Sequence, residues 1–210
     1  MAPPHPWLKP GVIAGACIPA AVIVTRATTG NLGANPITEA LNRFGLCALI
    51  FLMASLALTP LKLVTGWTWT VRIRRNVGVI AFCYASVHLL TYVGVDQGFA
   101  WGTLFQDVLK RPFIAVGFLA WLILLPLAIT STDGMVKKLG FVRWKQVHRL
   151  AYVAGALGAL HFYMRVKSDV REPLIYAAVL GTLLVLRVVD AIRNPKPKPK
   201  PRAAPRPEPG

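Results

Sequence analysis

Six apolar stretches run along the chain, each parted from the next by charges, prolines or glycines: Val12 to Val24, Leu41 to Val64, Val77 to Val95, Phe113 to Ile129, Leu150 to Val166 and Leu174 to Val189. A helix needs about 20 apolar residues to cross a bilayer, and fewer when it tilts or ends in snorkelling side chains. Lipid offers the backbone no hydrogen bonds, so the pattern predicts an all-α, polytopic membrane bundle of six transmembrane helices over residues 11–193. Residues 1–10 form a proline-rich lead, and residues 194–210 alternate proline with cations as a disordered polyproline-type tail. The first stretch is short and follows Lys9, which raises a signal peptide as a second reading. It ranks below a retained helix, because no small-x-small cleavage site precedes Gly30 and Pro19 suits a kink inside a helix.

Composition supports the membrane reading: 55% of the 210 residues are hydrophobic, more than one soluble core of this size can bury. The net charge of +16 suggests a nucleic-acid partner only until its placement is read. One set of loops carries few cations: Arg26, then Lys110 and Arg111, then Arg165, Lys167 and Arg171. The other set carries Lys62, Arg72, Arg74 and Arg75, then Lys137, Lys138, Arg143, Lys145 and Arg149, then Arg193 and the tail. The positive-inside rule places both termini in the cytoplasm, with contact to anionic lipid as a secondary effect. No groove-reading motif accompanies the charge, which argues against nucleic acid. Cys17, Cys47 and Cys83 lack metal-ligand spacing and read as buried small apolar residues.

Local signals punctuate the spans. Asn35 or Thr38 caps the second helix, with Glu39 in its first turn, and Pro112 opens the fourth at its first helical position. The segment GWTWTVRIRRN, residues 66–76, pairs tryptophans with arginines as an interfacial segment does, either as a lipid anchor or as a docking surface for an anionic donor or flavin phosphate. DQGFAWGTLFQDVLKRP, residues 96–112, reads as an outer connection. TSTDGMVKKLGFVRWKQ, residues 130–146, reads as an inner loop with Ser131, Thr132 and Asp133 as cap or turn residues. No glycine-rich nucleotide fingerprint occurs, so electrons for any redox role come from a separate donor or from quinol.

The chemistry concentrates in histidines. Trp144 to Lys167, read as one helical segment, carries His148 and His161 thirteen residues apart. That spacing separates them by about 20 Å along a helix, so they cannot share one ligand. His88, about twelve residues into the third span from Asn76, lies at nearly the depth of His161, since both helices run the same way. The two could face each other across a planar ligand, for which a bis-histidine haem is the obvious candidate. Phe82, Tyr84, Tyr92, Phe162 and Tyr163 are candidate walls. His148 has no histidine at its depth in the third span, where Arg74 and Arg75 stand. Three readings stay open for it: a second haem with a weaker partner, a flavin or quinone site at the cytoplasmic face, or a hydrated interfacial side chain.

Several segments in matching order, from NLGANP and LTPL through RIRRNVGVIAF, YASVHLLTY, LKRPFIAVGFLAW and ITST to KKLGFVRWKQVHRLAYV, HF, VKSD and EPLIYA, resemble the MsrQ family, also called YedZ. The resemblance covers about Gly30 to Arg193 and extends distantly to the ferric reductase and NADPH oxidase transmembrane domain. It implies a ferric-reductase-like fold, a b-type haem and an FMN, and a bacterial inner-membrane location. It also implies electron delivery to MsrP, a periplasmic molybdopterin-containing subunit that reduces methionine sulfoxide in damaged proteins. The donor it implies is the quinone pool or a cytosolic flavin reductase. The family's histidines fall on His88, His148 and His161 as cofactor-binding and metal-ligating residues. The chain itself is then an electron-transfer subunit without a catalytic residue of its own. Two rivals are a ferric or other metal reductase built on the same scaffold, and a transporter whose histidines relay protons.

Overall fold

The computed structural model describes residues 6–194, so the lead before Pro6 and the tail after Asn194 lie outside the described residues. Among these, nine α-helices and one π-helical turn follow one another: α1 (Leu8–Thr28), α2 (Pro36–Thr65), α3 (Trp69–Leu90), the π turn (Thr91–Asp96), α4 (Trp101–Lys110), α5 (Pro112–Ile129), α6 (Asp133–Leu139), α7 (Phe141–Val147), α8 (Leu150–Arg165) and α9 (Arg171–Arg193). Five units are long and apolar enough to cross a membrane: Leu8–Thr28, Pro36–Thr65, Trp69–Asp96, Pro112–Ile129 and Arg171–Arg193. The remaining predicted span, Leu150 to Val166, is realised as α8, which has only 16 residues. At about 1.5 Å per residue it reaches about 24 Å, short of a hydrocarbon core of about 30 Å.

Its shortness has a local cause. The segment from Trp144 onward is not one helix, because α7 ends at Val147 and α8 starts at Leu150. Across the break Ala151 N–H reaches the His148 carbonyl at 3.4 Å and Tyr152 N–H reaches that of Arg149 at 3.0 Å, three-residue bonds in place of four-residue ones. The sequence-based separation of His148 from His161 therefore spans a helix junction rather than a continuous helix.

The predicted starts hold at two places. Asn35 Oδ1 accepts from Thr38 N–H at 3.2 Å, with Pro36 and Glu39 in the first turn of α2, and Pro112 opens α5. Thr132 Oγ1 accepts from Met135 N–H at 3.3 Å and caps α6. Other connections carry more helix than expected. α1 starts at Leu8, inside the expected lead, and the first two turns of α3 take in Trp69 to Arg75 of the interfacial segment. The inner loop folds into α6 and α7, divided by Gly140 at φ +74°, a conformation that favours glycine. The outer connection contains α4, whose Trp101, Phe105 and Leu109 stand on one exposed face at four-residue intervals.

Two close pairs, α2 with α3 and α5 with α8, build the bundle, and α1 and α9 flank them. Leu52 of α2, Ala81 of α3, Leu124 of α5 and Ala154 of α8 form one core cluster. Ala81 and Ala154 are fully enclosed, as small residues are where helices in lipid approach closely. Leu49, Met53 and Leu56 of α2 meet Ala159 of α8 and Leu180 of α9 in a second cluster. The cysteines depart from expectation: Cys17 and Cys83 are exposed on the bundle surface and Cys47 is half-buried. A thiol is apolar enough to face lipid, so exposure in a membrane bundle costs it little.

α1 packs on the bundle through Ile23, against Phe44 and Tyr84, and is hydrogen-bonded to it through the Tyr84 side chain. The Tyr84 hydroxyl of α3 donates to the Ala16 carbonyl at 2.5 Å and accepts from the Ala20 N–H at 3.1 Å. A regular helix pairs those two backbone groups with each other. Pro19, which lacks an N–H, loosens the ladder where the hydroxyl enters. Phe51 stacks on the Tyr84 ring at 5.2 Å and holds it in place.

Candidate functional site

His88 reaches its position from the last turn of α3, and His161 from the last third of α8. Their ring centres lie 6.1 Å apart with planes at 83°. Each ring is held in the same way. His88 Nδ1 lies 2.8 Å from the Leu41 carbonyl of α2, and His161 Nδ1 lies 2.7 Å from the Phe113 carbonyl of α5. A carbonyl can only accept, so both Nδ1 atoms carry the proton, and in the neutral ring Nε2 keeps its lone pair. A backbone carbonyl on the far nitrogen is the usual way a ligating imidazole is oriented and its tautomer fixed.

Glycines make this approach possible. A Cβ on Gly45 would stand 2.9 Å from His88 Nδ1, and one on Gly117 would stand 2.6 Å from His161 Nδ1. Gly45 lies four residues after Leu41, and Gly117 four residues after Phe113. The missing Cβ thus clears the space directly over the carbonyl that receives the imidazole. Sequence reasoning did not single out Leu41, Gly45, Phe113 or Gly117. The available signal was a glycine inside each of two apolar helices, a position that costs about 1 kcal/mol relative to alanine and so asks for a packing reason.

The pair suits a single metal ion. Two metal–imidazole bonds of about 2 Å each, plus the distance from nitrogen to ring centre on both sides, place the centres of opposed rings about 6 Å apart. The observed separation matches, and both coordinating nitrogens are free of the carbonyl bonds. Among the described residues no group of three or more His, Cys, Asp or Glu side chains gathers as a metal cluster. Of the expected walls, Phe162 tilts against Tyr176 and lies 5.5 Å beneath the Arg165 guanidinium, and Phe82 stacks on Trp121 at 5.9 Å. Tyr84 is turned to α1, Tyr92 donates to Asp107 at 3.2 Å, and Tyr163 is exposed. Phe113, 5.9 Å from the His161 ring, is the aromatic neighbour the sequence did not reveal.

The π turn follows His88 directly, with Leu89 and Leu90 between. Such turns widen a helix by one residue and collect at functional sites. Here it carries the chain from α3 to the short segment before α4, where the Phe99 ring covers Gly94.

His148 stands apart, between α7 and α8, and stacks on the Trp144 indole with centres 4.0 Å apart. Its Nδ1 donates to the Trp144 carbonyl at 3.0 Å, and its Nε2 lies 3.3 Å from Ser131 Oγ. The single proton of that hydroxyl is given to the Leu127 carbonyl at 2.7 Å. Burial holds the His148 pKa below the ordinary imidazole value, and the charges of Arg74 and Arg75 act in the same direction. His148 lines a cavity with Arg74, Arg75, Ser131, Trp144 and Arg187. The structure thus brings His88 and His161 together and gives His148 a separate site among the basic residues.

Residues 44–159 match the model of the ferric reductase like transmembrane component, just over half of the chain. The match runs from α2 into α8 and includes His88 and His148. Relatives narrow it further. The chain is 52% identical over 169 residues to the protein-methionine-sulfoxide reductase heme-binding subunit MsrQ of Rhodospirillum rubrum, covering 80% of this chain and 81% of that one. It is 45% identical over 195 residues to the protein of the same name from Deinococcus radiodurans, covering 93% and 96%, and 44% identical over 185 residues to that of Caulobacter vibrioides, covering 88% of each. The chain belongs to the MsrQ family.

Proposed function

We propose that this protein is a membrane electron-transfer subunit that holds haem b between His88 and His161 and serves a methionine sulfoxide reductase at the outer membrane face. The observation that carries the reading is the paired geometry: two imidazoles 6.1 Å apart, each with Nδ1 on a backbone carbonyl and Nε2 turned free. Relatives that carry the name of a heme-binding subunit support it. Bound there, haem supplies one-electron transfer with a potential set by axial ligation and burial. The chain's own residues do the positioning. Leu41 and Phe113 fix the tautomers, Gly45 and Gly117 admit the rings, and α2 and α5 supply the rigid walls.

The surrounding arrangement extends the proposal. The cation-rich face, with Arg72 to Arg75 and Lys137 to Arg149, lies in the cytoplasm, and both termini lie with it, in the bacterial inner membrane. Electrons enter from that side, from the quinone pool or from a cytosolic flavin reductase, near His148, which serves a second haem or FMN. The partner at the other face is MsrP, the molybdopterin subunit that repairs oxidised periplasmic proteins. Catalysis resides in that partner.

The test is a dithionite-reduced minus oxidised visible spectrum of the purified protein, with haem and flavin quantified per polypeptide. Sharp b-type bands are expected, and His88→Ala and His161→Ala are each expected to abolish the low-spin signal they share. A colourless, folded wild-type protein overturns the electron-transfer reading, and unchanged spectra in both variants overturn the ligand assignment.

A further inference from the structure

We propose that α4 is an interfacial helix, seated by Trp101, Phe105 and Leu109 in the membrane leaflet at its end of the bundle. The helix has three faces, one more than a helix between protein and water needs. Leu104, Asp107 and Val108, three or four residues apart, are buried or half-buried against the bundle. Asp107 Oδ2 accepts from the Tyr92 hydroxyl at 3.2 Å and pairs with Arg111 at 3.6 Å, which fixes the rotation of α4. Thr103, Gln106 and Lys110 form an exposed polar face. Trp101, Phe105 and Leu109 form the third face, apolar and 71%, 67% and 70% exposed. With the rotation fixed, that face cannot turn inward, so it meets either lipid or another protein.

Attachment to the spans favours lipid. The span Trp69–Asp96 ends five residues before Trp101, and Pro112 opens the next span two residues after Lys110. At no more than about 3.5 Å per residue, neither end of α4 can rise far from the membrane surface. The apolar face is also continuous with the surface of the span. Phe99 joins the two at φ +59°, the only non-glycine residue at positive φ among the described residues. A bulky side chain is strained there. The conformation lays the Phe99 ring over Gly94 of the span and brings its centre 6.4 Å from that of Trp101. Val95, next to Gly94, and Phe99 are themselves exposed, so apolar surface runs on from the span into α4. Tryptophan favours the headgroup level, and a helix with such a face sinks it about 5–10 Å into the boundary between headgroups and acyl chains. Tyr92 lies four residues after His88, and Arg111 two before Phe113, so the helix that enters the leaflet also braces both segments that hold the imidazole pair.

The experiment attaches a fluorophore to single cysteines in the full-length protein, with Cys17, Cys47 and Cys83 replaced by alanine. The protein is held in phosphatidylcholine nanodiscs, which leave both membrane surfaces open to water. Phe105→Cys and Leu109→Cys report on the apolar face, and Gln106→Cys on the polar one. Quenching is read with a nitroxide carried high on the lipid acyl chain and with iodide in the water. At Phe105→Cys and Leu109→Cys the lipid nitroxide is expected to quench severalfold more than at Gln106→Cys, and iodide severalfold less. Two positions on the apolar face cover the case where one substitution disturbs the helix, since each leaves Trp101 and the other apolar residue in place. The proposal is overturned if iodide reaches both apolar positions as readily as Gln106→Cys, the outcome that leaves the face to a protein partner. It is overturned equally if the lipid nitroxide does not distinguish the three positions.

Discussion

Gly117 and Gly45 set how closely a helix backbone can approach the His161 and His88 imidazoles. An alanine at Gly117 puts a methyl group 2.6 Å from His161 Nδ1, so the ring must leave the Phe113 carbonyl. Loss of such an orienting partner typically weakens metal binding about 10-fold to 100-fold. Gly117→Ala is therefore expected to lower haem affinity by at least about tenfold, with Gly45→Ala, whose clash at 2.9 Å is milder, falling between it and wild type. Haem titration of the two variants, read by absorbance, checks the ranking. Alanine is the better helix former by about 1 kcal/mol, so a loss of haem in these variants cannot come from a weakened helix.

At the scale of elements, Tyr84 joins α3 to α1 through two hydrogen bonds and through its stack on Phe51. Tyr84→Phe removes the hydroxyl and keeps the ring. Ala16 and Ala20 can then pair with each other, which limits the cost to about 1 kcal/mol. The expected result is a lower melting temperature in detergent and faster proteolytic release of α1, with an unaltered visible spectrum because the histidine pair does not touch α1. A changed spectrum would show that α1 helps to position the site. α4 shows why connections are hard to read from sequence. Its face of Trp101, Phe105 and Leu109 has helical spacing, yet the segment around it is too short and too polar to cross a membrane, so from the sequence it reads only as a connection. The π turn left no signal in the residue pattern, since it adds one residue to a turn of otherwise ordinary helix formers.

For the whole molecule, the six spans expected from the sequence would put both ends on one face, and the positive-inside rule assigns the cations of the α2–α3 and α5–α8 connections to the cytoplasm as an expectation. A fluorescent protein fused after Gly210 is expected to glow in the bacterial cytoplasm, while alkaline phosphatase at the same place stays inactive. Phosphatase fused in the connection between α4 and α5, after Lys110, is expected to be active. The reverse pattern would invert the bundle and move the basic cavity to the outer face. α8 makes this test informative, because at 16 residues it is the shortest element asked to cross, and it relies on its packing against α5.

Much of this protein was set by its sequence alone. Long apolar runs can hold their backbone in lipid only as helices, and cations resist translocation, so class, number of runs and predicted orientation follow from residue types without tertiary contact. The nearly equal depth of His88 and His161 was also legible, because each lies about a dozen residues past the start of its own apolar span. Which helix faces which is a matter of packing and was decided only by the folded bundle. The fold set Leu41 and Phe113 as carbonyl partners, broke the Trp144 to Lys167 segment at His148, and brought Arg187 of α9 beside Arg74 of α3. None of these can be read from spacing along one chain segment, since each joins residues on helices whose relative rotation depends on small residues such as Gly45, Gly117, Ala81 and Ala154 at their contacts.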